Sequence, residues 1–201
     1  MEVFEIEQGT PEWLAARAGL PTASRFADVI AQKGPRGGIP RGRQTYLYKL
    51  AGEIITGEPM DNYSNAHMER GHDLEDEARD LYAFLRDVEP KQVGFIKNGL
   101  CGASPDALVG DDGLFETKSA LAHIQIERLL SGILPPEHKA QCQGQLMVSQ
   151  RSYVDFMSYC RGLPPLIVRV ERDEKYMAEL KTGVEAFVEE LNQLVTKIRC
   201  M

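Results

Sequence analysis

Residues 100–118 read Leu-Cys-Gly-Ala-Ser-Pro-Asp-Ala-Leu-Val-Gly-Asp-Asp-Gly-Leu-Phe-Glu-Thr-Lys, and the fold turns on where this stretch bends. Gly110-Asp111-Asp112-Gly113 has the composition of a tight turn, with strand-like residues over Leu100–Leu108 before it and Leu114–Lys118 after it. A hairpin closed there sets Asp106 across from Glu116. Side chains alternate along a strand, so Glu116 and Lys118 share one side while Thr117 points away. Two carboxylates and one ammonium therefore converge. Carboxylates this close repel unless a proton or a cation joins them, and a hard divalent ion with oxygen ligands, Mg²⁺ above all, suits the pair because it needs only one or two carboxylates. Lys118 would stand beside the attacking water, positioning it or stabilising charge on the attacked phosphate. Spacing alone also fits a weak cross-strand ion pair on a solvated hairpin.

Outward from this stretch, the pattern is helical at both ends. Thr10-Pro11 is a helix start, and Gly19 and Pro21 end a short helix. A second start follows at Thr22-Ala23-Ser24, where Thr22 or Ser24 would sit at a helix N-terminus, a place that favours anions. Residues 33–43, Lys-Gly-Pro-Arg-Gly-Gly-Ile-Pro-Arg-Gly-Arg, are too rich in Gly and Pro to be regular and predict a basic loop. Tyr46, Leu47, Leu50, Ile54 and Ile55 predict a buried helix ending near Gly57, and Leu74, Ala78, Leu81 and Leu85 a second over 65–85. Val93–Ile96, Tyr153–Tyr159 and Leu166–Val170 read as further strands, with helices over 122–130 and 137–148 between them. Asp173 can cap a long last helix in which Met177, Leu180, Val184, Phe187, Leu191, Leu194 and Ile198 recur at three or four residues. Helices around a central, antiparallel-looking sheet predict one α/β domain over 1–201.

With 201 residues, 23 Lys+Arg, 30 Asp+Glu and a net charge of −7, the chain is no all-over basic nucleic-acid coat. The charge is uneven. No acid occurs between Asp28 and Glu53, whereas eight acids face three bases between Glu69 and Glu89. No apolar run approaches the roughly 18 residues of a membrane span, and Met1–Glu5 does not resemble a signal peptide, so the expected location is the cytosol. The four cysteines, at 101, 142, 160 and 200, form no C-x-x-C pair. They are expected to be free thiols rather than zinc or iron–sulfur ligands, which are usually closely spaced.

Pro105-Asp106 followed by Glu116-Thr117-Lys118 resembles the PD-(D/E)xK nuclease signature, and more of the chain resembles one branch of that superfamily, the phage lambda-type exonucleases or YqaJ-like viral recombinases. The resembling pieces are Trp13, Arg17 and Thr22-Ala23-Ser24; Gly71-His72-Asp73-Leu74-Glu75-Asp76-Glu77-Ala78-Arg79; Ser104-Pro105-Asp106; Glu116-Thr117-Lys118; Ala140-Gln141-Cys142-Gln143; and Glu171-Arg172-Asp173-Glu174-Lys175-Tyr176-Met177. They span nearly the whole chain in order. The resemblance implies a restriction-endonuclease-like domain with a central mixed sheet flanked by helices. It also implies a two-metal nuclease, using Mg²⁺ with Mn²⁺ as a substitute, that digests one strand of linear duplex DNA from its 5′ end and works as a ring-shaped homotrimer. The 3′ overhang would feed a single-strand annealing protein in the cytoplasm of a bacterial host.

Carried over residue by residue, Asp106, Glu116 and Glu75 would bind metal, and Lys118 would activate the water. Gln143 resembles an active-site glutamine, with Gln141 and Gln145 competing for the role on the same helix. Arg17, Thr22, Ser24 and Ser104 resemble a pocket for a 5′-terminal phosphate, with chemistry that suits it: a guanidinium and hydroxyls are good phosphate donors. Trp13 could stack on a base, and Arg36, Arg41 or Arg43 could meet the DNA backbone. A structure-specific endonuclease of the same superfamily, and an inactive DNA-binding module, are the alternatives.

Overall fold

The computed structural model describes residues 1–31, 38–60 and 66–201, with the backbone alone over 66–73. The decisive turn closes as its residues demand. β4 (Ala107–Val109) and β5 (Gly113–Ser119) pair antiparallel, Ala107 opposite Phe115 and Val109 opposite Gly113. Gly110 takes a φ of +52° there, a conformation that costs glycine little. The same register, carried one residue further, sets Asp106 against Glu116.

On the other side of β5, β6 (Tyr153–Tyr159) runs parallel to it, and β7 (Leu166–Glu171) is antiparallel to β6. The four-stranded sheet β4-β5-β6-β7 is thus mixed, as the resemblance implied, and the antiparallel look of the strands in sequence is corrected. The cause is the connection from β5 to β6. It runs through α5 (Ala122–Ser131), a 3-10 turn at Pro136–His138 and α6 (Lys139–Ser149), the long crossover that parallel strands require.

The stretch 100–108, expected as one strand, is two strands in different sheets. β3 (Cys101–Ala103) pairs with β2 (Phe95–Asn98), which pairs with β1 (Glu2–Phe4), a strand that the sequence did not suggest. Ser104-Pro105-Asp106 crosses from this three-stranded sheet to the four-stranded one. Pro105 has no N–H to give a ladder, so the strand breaks there.

Alternation along β5 assigns its two faces. Phe115 stacks on Tyr82 of α4 (Ala66–Arg86), ring centroids 4.4 Å apart, while Leu114 packs with Cys142 and Leu146 of α6. Of the stripe expected on α4, Ala78 is buried, Leu74 and Leu81 are half-buried and Leu85 is exposed, so Tyr82 carries the main contact. Glu116 and Lys118 consequently face α6.

The rest of the chain holds α6 from behind. α1 (Pro11–Arg17) starts at Thr10, whose hydroxyl accepts the Trp13 N–H at 3.3 Å. The second start is a 3-10 turn, Ala23–Arg25, running into α2 (Phe26–Val29), and Thr22 makes no side-chain cap bond there. α2 and this turn pack on α6 at Gly144, where a Cβ would come within 2.4 Å of Phe26. α7 (Glu174–Arg199) is capped by Asp173, which accepts the Tyr176 N–H at 3.0 Å. It buries Met177, Leu180, Val184, Phe187 and Leu191 as the periodicity predicts, but Leu194 is half-buried and Ile198 exposed, with Val195 the last buried residue of the face.

α3 (Arg41–Thr56) lies against α7, with Tyr46 stacked on Phe187 at 5.8 Å. It begins at Arg41, so the basic segment is already helical at its last three residues, contrary to the loop expected through Arg43. Residues 38–40 are irregular, and 32–37, with Arg36, lie outside the described residues. All four cysteines are free, Cys101 and Cys142 buried. Among the described residues no helix is long and apolar enough to cross a membrane.

Candidate active site

Just before β4, at the edge of the mixed sheet, Asp106 Oδ2 accepts the Thr117 N–H at 2.6 Å. This bond ties the carboxylate to the strand that carries Glu116 and Lys118. Asp106 Oδ1 has no hydrogen-bond donor among the described residues, and Asp106 lines a cleft of about 1320 Å³ together with Glu75. Glu116 is 1 % exposed. Its Oε1 accepts Lys118 Nζ at 2.5 Å and the Gln141 amide, and its Oε2 accepts the Gln145 amide at 2.5 Å. The buried charge is therefore satisfied by one ammonium and two amides, as a buried carboxylate must be.

The proton affinities follow from this crowding. Burial, then the neighbouring Glu116 and the nearby Glu75, hold the Asp106 carboxyl well above the usual carboxylate range. Burial alone would lower Lys118, but Glu116 and then Asp106 outweigh it, and the ammonium is held charged well above its ordinary range. Carboxylates crowded so that one is held this far toward its protonated form leave a place that a cation can take. Among the described residues no three His, Cys, Asp or Glu side chains are gathered tightly enough to ligate an ion as they stand. The donor chemistry nonetheless fits a hard divalent ion, which needs few carboxylates and completes its shell with water or phosphate oxygens.

The three adjoining acids of α4 divide. Asp76 pairs with Arg79 at 2.6 Å, and Glu77 takes the Arg161 guanidinium and the Tyr159 hydroxyl. Glu75 is left as the one whose charge is felt by both Asp106 and Lys118.

Gln143 is placed elsewhere. Its amide donates to the Glu171 carbonyl at 2.7 Å and its oxygen accepts the Asp173 N–H at 2.9 Å, clamping the entry to α7. Its neighbours Gln141 and Gln145 reach Glu116 instead. On a helix, residues four apart share a face and residues two apart are nearly opposite. Q-x-Q-x-Q therefore puts 141 and 145 together and 143 away, a signal present in the sequence.

The second cluster lies along the same cleft, which Trp13, Arg17, Thr22, Ser24 and Tyr46 also line. The Arg17 guanidinium lies 3.7 Å from the centre of the Trp13 ring and donates to Thr22 Oγ1 at 3.5 Å. Thr22 Oγ1 is 3.4 Å from Ser24 Oγ. The Trp13 indole N–H donates to the Gly94 carbonyl at 2.9 Å and to Ser104 Oγ at 3.1 Å. So Arg17, Thr22, Ser24 and Ser104 are brought together, and one face of Trp13 is covered by Arg17.

Two contributors had no signal in the sequence. Tyr46 accepts the Thr22 N–H at 3.0 Å, and Gln8 donates to the carbonyls of Val93 at 2.9 Å and Pro105 at 3.0 Å, pinning the residue before Asp106. The arginines expected on DNA separate: Arg41 is exposed, whereas Arg43 is tied to Glu190 at 2.7 Å and lies over the Phe187 ring.

Residues 12–152 match the family model described as the YqaJ-like viral recombinase domain. A search of curated proteins finds no match. Among solved structures, the chain is similar to an alkaline exonuclease, LHK-Exo, from Laribacter hongkongensis. The identity is 37 % and the TM-score 0.85, covering 94 % of this chain and 96 % of that one. LHK-Exo in complex with dAMP matches at 38 % identity with the same TM-score and coverage. A phage related exonuclease from Haemophilus somnus 129PT, 16 % identical with a TM-score of 0.67, covering 89 % of this chain and 96 % of that one, shares the fold.

Proposed function

The chain belongs to the YqaJ-like viral recombinase family, and we propose that it is a Mg²⁺-dependent exonuclease that resects linear duplex DNA from a 5′-phosphorylated end. The observation that carries this reading is that Ser104 and Asp106, two residues apart on one crossing segment, belong one to each cluster. Two residues of chain span at most about 7 Å, so a terminal phosphate held at Ser104 leaves room for about one nucleotide before the carboxylates. That spacing supports release of mononucleotides. It also accords with LHK-Exo, an alkaline exonuclease by name, having been solved with a deoxynucleoside monophosphate.

In this reading Asp106, Glu116 and Glu75 hold the divalent ions, two in number and replaceable by Mn²⁺, which supply Lewis acidity toward the phosphate and a more acidic bound water. Lys118 donates to the attacking water or to the phosphate oxygen on which charge develops. Gln141 and Gln145 fix the Glu116 carboxylate, and the Thr117 N–H fixes Asp106. Arg17, Thr22, Ser24 and Ser104 grip the 5′ phosphate and so set which strand is cut. Assembly as a homotrimeric ring, and delivery of the 3′ overhang to a single-strand annealing protein in the cytoplasm, complete the proposal.

The test is a time course on an end-labelled linear duplex with Mg²⁺. Shortening from the 5′ end, with closed circles untouched, is expected. Cleavage of circles would favour an endonuclease. An Asp106→Ala variant as fast as the unaltered protein would refute the catalytic assignment.

A further inference from the structure

The phosphate cluster is held by one aromatic residue, and its hydrogen bonds have a direction. An indole N–H and a guanidinium can only donate. Trp13 donates to Ser104 Oγ at 3.1 Å, so that oxygen is the acceptor and its own proton must go elsewhere. No acceptor for it exists among the described residues. Arg17 likewise donates to Thr22 Oγ1 at 3.5 Å, which makes Thr22 an acceptor on that side and sends its proton away from Arg17. The Trp13 ring also carries the Arg17 guanidinium at 3.7 Å, within the range of a strong cation–π stack. Trp13 itself is anchored by its second bond, to the Gly94 carbonyl at 2.9 Å. The flat face of the indole thus fixes the plane of Arg17, and its edge fixes the proton of Ser104.

We propose that Trp13 is a positioning residue for 5′-end recognition: it orients Arg17 and Ser104 as donors and thereby sets the preference for a 5′-phosphate over a 5′-hydroxyl end. This rests on the exonuclease reading above and names the residue that gives its end-binding site directionality. A phosphate oxygen presented to preoriented donors avoids the cost of ordering them. A 5′-hydroxyl end gains little from the same donors.

Two measurements test it. In the first, rates on 5′-phosphorylated and 5′-hydroxyl duplexes are compared for the unaltered protein, Trp13→Phe and Trp13→Leu. The ratio of the two rates should fall about tenfold or more in Trp13→Leu, which loses both stack and donor. It should fall less in Trp13→Phe, which keeps the ring face. A ratio within twofold of the unaltered protein in both variants, or an equal loss on both substrates, overturns the proposal. In the second, Trp13 is the chain's one tryptophan, so its fluorescence reports the pocket without catalysis. With EDTA present, a 5′-phosphorylated oligonucleotide duplex should shift or quench the emission at lower concentration than its 5′-hydroxyl counterpart, and Arg17→Gln should abolish the difference. Equal titrations for the two ends would refute the positioning role even if nuclease activity is found. No nuclease activity together with phosphate-dependent fluorescence would instead sink the exonuclease reading and keep this one.

Discussion

Replacing each glutamine of α6 by methionine, which keeps length and volume but removes both polar ends, separates the two roles that the structure gives this helix. Gln143→Met deletes the bonds to the Glu171 carbonyl and the Asp173 N–H. A buried polar group left without a partner costs about 1–3 kcal/mol. Gln143 is buried but Glu171 is exposed, so water can reach part of what is left, and the loss should total about 1–3 kcal/mol. In a domain of this size that lowers Tm by roughly 3–10 °C. Activity below the transition should stay within about twofold.

Gln141→Met should do the opposite. Lys118 still satisfies Glu116 Oε1, so stability changes little. Loosening a carboxylate that would ligate metal lowers activity about 10–100-fold. Gln145→Met should be at least as damaging, because Gln145 is the donor to Glu116 Oε2. Thermal melts and initial rates on one linear duplex, measured on the same preparations, decide the matter. A Gln143→Met protein with unchanged Tm and abolished activity would refute the reasoning and return Gln143 to the catalytic centre.

Asp155 offers a pH test away from the site. It is buried; burial would raise its carboxyl, but Arg169, bonded through both oxygens at 2.8 Å, and Tyr82 at 2.7 Å outweigh burial and lower it. A depressed folded value means that its stabilisation is complete above the ordinary value of 3.8 and is lost as pH falls through the folded value. Urea midpoints should therefore drop below about pH 4, and Asp155→Asn should flatten that part of the curve; an unchanged slope would sink the assignment. Gly94→Ala places a Cβ 2.1 Å from the Ile6 carbonyl oxygen, and should cost about 1–3 kcal/mol of stability by urea unfolding. Arg41→Met should weaken DNA binding and reduce the salt slope by about one, while Arg43→Met, cut from Glu190, should lower Tm and leave DNA affinity within about twofold. Equal DNA effects of the two would contradict their separation.

Patterns with a short period were readable in the sequence. The turn at 110–113 and two-residue alternation suffice to oppose Asp106 and Glu116, and three-to-four spacing suffices for the buried face of α7. What failed was long-range. Nothing local in 100–108 says that its two halves belong to different sheets, and nothing in β5 or β6 says that they run parallel, because that is decided by where α5 and α6 fit. Gln143 shows the same limit from the other side. Helix geometry sorts 141 and 145 from 143, but which face meets Glu116 depends on the sheet below. Tyr46 and Gln8 act through backbone groups far away in sequence, and such contacts leave no motif.

The net charge of −7 is compatible with a polyanionic substrate once the charges are traced to their partners. Of the five bases between Asp28 and Glu53, two are already engaged, Arg43 with Glu190 at 2.7 Å and Lys49 near Glu53 at 3.7 Å, and Arg25, just before that stretch, pairs with Asp28 at 2.7 Å. Counting lysines and arginines there overstates what a phosphate would meet. The residues lining the cleft include phosphate donors, Arg17 with the hydroxyls of Thr22 and Ser24, and the acids Glu75 and Asp106. Under the proposed reading the acids repel phosphate until divalent cations reverse their sign. Metal dependence and the acidic balance are then one property. Chelation should weaken binding of the scissile segment, yet leave the grip of Arg17 on the 5′ phosphate intact.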